Sequence, residues 1–333
     1  MKKPKLCSIA LLCLLTLGTI ATAAPLNPKH VPADAKWVVH LDFESLSDSD
    51  FFAAIRQQKP QATKAIRGWI KNRYGIDPPE DLYSVTAFSR DYRIYTGTVI
   101  LRADYDPAKV ESSLTKAMNH RTTAWQGHTL HTVTLSKQKP EDDGPSGDEE
   151  MSVVLLDEDT IVFGSSVPNL KEALKLLSGD GKTLAGTDST LLDDTASSAW
   201  MYGAAIDLQQ LKQHPVAMPI LSQHERIVWS FGFRDGKIYE QADLVARSPD
   251  VAKQTKKILD GIVAYETLWS EGSEPMAAVM KGVRVTQDGK KSGFHWQGDS
   301  ETVIAALDDA LDRLATWMPM LMSQESTQTK KKR

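Results

Sequence analysis

Cysteine is nearly absent from this chain of 333 residues, and its two examples, Cys7 and Cys13, both fall within the first 23 positions. Residues 24–333 therefore hold no thiol. That excludes a disulfide scaffold, a cysteine nucleophile and any zinc site built on thiolates. An excess of positive charge is also missing, with 39 basic against 43 acidic side chains and a net charge of −4. A general nucleic-acid binder needs a net basic face, so that class is set aside. Beyond the first segment no apolar run approaches the ~18 residues of a membrane-spanning helix.

What is present begins with a targeting pattern. Lys2, Lys3 and Lys5 precede a largely apolar run from Leu6 to Ile20, and Ala21-Thr22-Ala23 supplies small residues at its end. This is the pattern of a secretory signal peptide, with cleavage expected between Ala23 and Ala24. Losing three lysines and no acid leaves 36 basic against 43 acidic groups, a net charge of −7. The expectation is an exported protein, periplasmic or extracellular, with no transmembrane segment once the signal is gone. Its stability must come from packing without covalent staples.

The rest reads as alternating strand and helix signals. In Trp37–Phe43, Trp37, Val39, Leu41 and Phe43 fall on one side of a strand and Val38, His40 and Asp42 on the other. The run Trp200–Leu208 repeats the alternation, and Leu41-Asp42-Phe43-Glu44-Ser45-Leu46 matches Ile206-Asp207-Leu208-Gln209-Gln210-Leu211 in pattern. Strand-like runs end three times in a capping residue and proline: Asp106-Pro107, Ser166-Val167-Pro168 and Ser248-Pro249. Proline at the first helical turn loses no needed hydrogen bond, and Asp or Ser before it caps free N–H groups. Helix-spaced apolar residues follow each: Val110 and Leu114; Leu170, Ala173 and Leu174; Val251, Ile258 and Ile262. A fourth copy starts at Asp299-Ser300 and continues through Val303, Leu307, Leu311, Leu314 and Met318. Hairpin turns are expected at Asp157–Asp159, Arg234–Gly236 and Gln287–Gly289.

These signals predict the α+β class, as two tandem related halves, each an antiparallel sheet with helices packed on one face. The expected organisation is a signal peptide at 1–23, a first half at 24–185, a second at 186–323 and a disordered basic tail at 324–333. The break falls in the Gly-, Ser-, Thr- and Asp-rich stretch from Ser178 to Ser198.

The opening at Pro32-Ala33-Asp34-Ala35, Trp37-Val38, His40 and Asp42 resembles the start of uncharacterised exported proteins of planctomycete- and verrucomicrobial-type bacteria. The resemblance covers little more than a dozen residues. It implies bacterial export and carries no activity.

Chemistry is sparse. His40 and Asp42, two apart on one strand face, are the catalytic candidates, as a metal pair or an oriented base. Asp42 and Asp207 also stand where helix N-caps are expected, which explains them without catalysis. His120, His128 and His131 cluster, yet strand alternation puts His128 and His131 on opposite faces, so no zinc site is expected. Glu141–Glu150 holds six acids and no base. It lacks the spacing of a calcium loop and reads as a solvated connection. Ser113–Lys116 with Lys291-Ser292-Gly293 imitates penicillin-binding motifs without their helical context. Gly181-Lys182-Thr183 lacks the rest of a phosphate loop.

No cofactor or metal is implied. The expected function is non-catalytic binding or scaffolding in the periplasm or at the cell surface, with an envelope protein or small ligand as partner. One alternative is a periplasmic hydrolase with acid/base residues from both halves. Another is an envelope-surface protein docked through its C-terminal Trp/Met helix and basic tail.

Overall fold

The computed structural model describes residues 24–58, 68, 71–72, 75–93, 96–135, 149–213 and 220–310. The expected signal peptide, most of the acidic stretch 141–150, and the Trp/Met-rich end with its basic tail lie outside the described residues.

The chain enters through 24–36 and forms β1 (Trp37–Asp42), α1 (Phe43–Ser47), α2 (Asp50–Gln58), α3 (Pro78–Asp81), β2 (Leu82–Ser89) and β3 (Thr98–Ala103). Then come α4 (Pro107–Thr115), β4 (Arg121–Trp125), β5 (His128–Leu135), β6 (Glu149–Leu155), β7 (Thr160–Gly164) and α5 (Val167–Leu177). The remainder is β8 (Ala199–Ile206), β9 (His224–Arg234), β10 (Lys237–Ala246), α6 (Pro249–Trp269), α7 (Glu274–Gly282), β11 (Arg284–Asp288) and β12 (Lys291–Gly298), before a last helical stretch at 300–310.

Local chemistry accounts for the element ends. Asp106, Ser166 and Ser248 each accept the N–H three residues on, at 3.1, 3.4 and 3.3 Å, and each precedes a proline at the helix start. Asp299 does the same for Thr302 at 2.9 Å. Ser273 caps α7 through Met276 N–H, ahead of Pro275. Between β9 and β10, Asp235 and Gly236 take φ of 52° and 77°, the paired left-handed conformation of a tight hairpin turn. Ser248→Ala should cost about 1 kcal/mol, read as a lower urea midpoint with an unchanged slope.

All twelve strands form one antiparallel sheet in the order β11-β12-β10-β9-β8-β1-β2-β3-β7-β6-β5-β4. The α+β class with antiparallel sheet holds. The two stretches assigned to separate halves are joined by the pairing of β1 with β8, where Val38 faces Ala204 and His40 faces Tyr202. From that seam the order runs β1-β2-β3-β7-β6-β5-β4 on one side and β8-β9-β10-β12-β11 on the other.

Helix placement differs from the one-face expectation in the first half. Leu170, Ala173 and Leu174 of α5 pack with Val38, Phe88, Ile100, Val162 and Tyr202. Val110 and Leu114 of α4 pack with Val133, Val153 and Ile161. Ile161 and Val162 are adjacent in β7 and point to opposite faces, so α4 and α5 cover opposite sides of the sheet. Both α6 and α7 pack against β12, and α6 also meets β10 and β11.

The Ser178–Ser198 stretch is also more than a connection. Leu184 and Leu191 are fully buried in the same cluster as Val31 and Leu170. Backbone bonds tie it to the entry segment, from Ala33 N–H to the Lys182 carbonyl at 3.0 Å and from Leu184 N–H to the Val31 carbonyl at 2.9 Å. Its composition announced a loop, but Leu184 and Leu191, seven residues apart, gave it something to bury.

Candidate functional site

Alternation along β1 is as expected, yet the face carrying polar residues is the more buried one. Val38, His40 and Asp42 are buried, whereas Val39 on the other face is exposed. This is tolerated because both polar side chains bring their partners with them. His40 bonds the Thr86 hydroxyl at 2.9 Å through Nδ1 and the Ala24 carbonyl at 2.9 Å through Nε2. The carbonyl can only accept, so Nε2 carries the proton and Nδ1 accepts from Thr86. Burial pulls the imidazole below its usual range, opposed by the Ala24 carbonyl and by Asp42. Asp42 is the N-cap of α1, accepting Ser45 N–H at 2.9 Å and the Ser45 hydroxyl at 2.7 Å.

The two candidates line different cavities. His40 borders a space of about 390 Å³ under the entry segment, with His30, Ser84, Thr86 and Arg102. Asp42 borders a larger cleft of about 790 Å³ at the seam of β1 and β8. Asp207, aligned with Asp42 by pattern, does not act as a cap of the same kind. It adopts φ of 57° and ion-pairs with Lys36.

The seam cleft is built from both ends of the sequence. Its floor is aromatic: Trp200 lies between Phe51 at 5.8 Å and Phe233 at 6.0 Å, both near parallel, with Phe231 edge-on at 5.7 Å. Trp200 is buried and Phe233 is 45% exposed. Around that floor stand Asp42, Glu44, Asp48 and Asp50 from the start of the chain and Glu301 from the last helical stretch. Among the described residues no basic side chain lines the cleft. Burial, then the charges of Asp42 and Asp48, lift the Glu44 carboxyl above its usual range, with Arg102 opposing. Among the described residues no cation is bonded to Glu44, and two acids crowd it, an arrangement that favours a positively charged visitor. Asp42 was legible in the sequence as a candidate but the cleft was not, since Phe51, Trp200 and Phe233 are far apart in the chain.

A second cleft of about 500 Å³ lies between α6, α7 and the 300–310 helix. Leu259, Ile262, Met276, Met280, Trp296 and Leu307 are among its lining, which is apolar apart from Glu240. That carboxylate accepts Trp229 Nε1–H at 2.9 Å.

His128 and His131 do separate as alternation predicts. The structure adds a pairing that strand logic missed: His120 and His131 stack at 5.3 Å between centroids, with ring nitrogens 3.0 Å apart. Burial, then the charge of His120, lowers His131. Among the described residues no group of three or more His, Cys, Asp or Glu is arranged to hold a metal ion. Among them too, no helix is long and apolar enough to cross a membrane.

No protein-family model matches the chain, and no curated protein matches it either. Three solved structures of TP0453 are among those similar to the chain. Crystal form III has a TM-score of 0.46 at 9% identity, covering 86% of this chain and 99% of that one. Form I has a TM-score of 0.42 at 8% identity, covering 86% and 98%, and form IV 0.42 at 10%, covering 86% and 97%.

Proposed function

We propose that this chain is a non-catalytic binding protein of the bacterial envelope, exported by its N-terminal signal, whose ligand is an organic cation with an apolar body. The observation that carries the reading is the seam cleft: an aromatic floor ringed by five carboxylates and, among the described residues, no base. Cations are attracted to aromatic faces and to carboxylates together, and a floor of packed rings is already ordered before the ligand arrives. The bonds made by His40 and Asp42 explain both residues without a reaction, which favours binding over hydrolysis.

The first five strands outward from β1 and from β8 correspond, β1-β2-β3-β7-β6 with β8-β9-β10-β12-β11, β5 and β4 being added at the outer edge of the first side, which supports the two stretches as tandem related halves. In that arrangement the site sits at the seam, and ligand contacts come from both halves.

Isothermal titration with spermidine and with benzyltrimethylammonium tests the ligand class. Glu44→Gln with Asp48→Asn should weaken both at least ~10-fold, about 1.4 kcal/mol. Phe233→Ala should weaken the aromatic cation more than spermidine. Absence of heat with both cations at millimolar concentration would sink the reading.

A further inference from the structure

The space of about 390 Å³ under the entry segment lies apart from the seam cleft and holds groups that no role above absorbs. Its floor is one face of β1, β2 and β3. Strand pairing sets His40, Thr86 and Ile100 in one row across that face and Asp42, Ser84 and Arg102 in the next. His40 bonds Thr86 and the Ala24 carbonyl, so both its ring nitrogens are engaged. Asp42 is turned to Ser45 and does not line the space. Donors on three residues remain. Ser84 is 5% exposed, and its hydroxyl has no hydrogen-bond partner among the described residues. A buried hydroxyl is costly unless something accepts its proton. Arg102 gives Nη2 to Asp159 at 2.6 Å, which leaves Nε and Nη1 without a partner among the described residues. At His30 the tautomer follows from Asn27, whose Oδ1 accepts Lys29 N–H at 3.0 Å and whose amide nitrogen therefore faces His30 Nε2, at 3.1 Å. That ring nitrogen accepts, so the neutral imidazole carries its proton on Nδ1. Burial, then the charge of Arg102, lowers His30 and keeps the ring neutral at pH 7. Among the described residues no acid lines the space, and Pro25, Leu26 and Ile100 give it an apolar side.

We propose that this space binds a small organic carboxylate, its anionic end among Ser84, Arg102 and His30 and its carbon body against Ile100 and the entry segment. The chemistry is complementary. A carboxylate only accepts, and the unused hydroxyl, guanidinium and imidazole hydrogens are all donors. Bonds from such donors to an ionised acceptor are stronger than neutral ones. Arg102 is the one charged base on the lining among the described residues, which suits a single negative charge. The apolar side calls for a carbon body, which an inorganic anion lacks. The site stands on residues other than those of the seam cleft and does not rest on the reading of that cleft.

Isothermal titration of the full chain at pH 7 with benzoate, benzamide and inorganic phosphate tests this. The expected result is saturable benzoate binding with a Kd of about 1 mM, within reach of a ligand of that size. Benzamide has the same shape without the charge and should bind at least ~10-fold more weakly. Phosphate should also bind more weakly than benzoate, since it leaves the apolar side uncovered. Arg102→Gln should weaken benzoate at least ~10-fold, and Ser84→Ala roughly 3- to 10-fold, as loss of a hydrogen bond to a charged group does. Ser84→Ala should leave the urea midpoint level or raise it, because its hydroxyl bonds nothing among the described residues. It should also leave the benzyltrimethylammonium titration as it is in the unchanged chain, so that failure at one site is not failure at the other. No saturable benzoate binding up to about 10 mM overturns the proposal. So does equal affinity for benzamide, tighter binding of phosphate, or a benzoate affinity that survives either variant. A lower urea midpoint in Ser84→Ala overturns it too, since the hydroxyl would then serve the fold.

Discussion

Replacing Trp200 by alanine lowers the unfolding free energy by about 3–5 kcal/mol, the range for removing a large aromatic side chain from a packed core. Trp200 is buried between Phe51 and Phe233, touches Phe231 edge-on, and shares a cluster with Ile238, Trp296 and Ile304. Its ring thus ties α2, β8, β9, β10, β12 and the 300–310 helix together. The void left behind cannot close unless several elements move at once, so the cavity cost adds to the lost transfer energy. Urea unfolding followed by far-ultraviolet circular dichroism measures the change. The same variant should abolish cation binding, since the floor of the seam cleft goes with it. Trp200→Phe should retain most of the stability, because a planar ring still fills the stack. A loss below about 1 kcal/mol for Trp200→Ala would mean that the floor is not packed as described.

The second large effect is a loss of stability on mild acidification. Burial lowers four histidines, His30, His40, His131 and His224, below their ordinary range in the folded protein. Burial is the first cause in each. Arg102 adds to it at His30 and His120 at His131, while backbone carbonyls oppose it at His40 and His224. In the unfolded chain these rings titrate near pH 6.5. Below that pH the unfolded state binds more protons than the folded one, so stability rises with pH through this window. The four contributions are complete above pH 6.5 and are lost progressively as pH falls below it. The urea midpoint should therefore drop between pH 7 and 5, before most carboxylates titrate. His40→Gln can replace only one ring nitrogen's bond at a time, so it should cost stability at pH 7 while flattening the drop. A midpoint that stays level from pH 7 to 5 would contradict buried neutral imidazoles. Asp91, Asp159 and Asp299 act in a lower window, because hydrogen bonds and nearby arginine or lysine hold them below the usual carboxylate range.

Local pattern was enough for much of this molecule. Four capped helix starts, at Asp106, Ser166, Ser248 and Asp299, were legible because capping depends on residues three apart. Hairpins at Asp157–Asp159, Arg234–Gly236 and Gln287–Gly289 were legible because a turn needs two or three residues of particular backbone freedom. The recurrence of strand and helix also carried the α+β class. The fate of the Ser178–Ser198 stretch was hidden, since its burial depends on Val31 and Leu170, remote in sequence. The pairing of His120 with His131 was hidden as well, because it crosses from the end of a helix-bearing segment into β5.

By itself, the sequence determined where four capped helices begin and where three hairpins turn, and it determined that residues 24–333 must hold together without thiols. Only the tertiary structure decided that both stretches share one sheet through β1 and β8, that α4 and α5 take opposite faces, and that Asp42 and Glu301 look onto the same aromatic floor. Caps, turns and alternation act over a few residues and leave a signature in any single chain. Which strand edges meet, and which rings stack, is set by free energies summed over surfaces brought together from distant parts of the chain, and no short stretch of residues contains that sum.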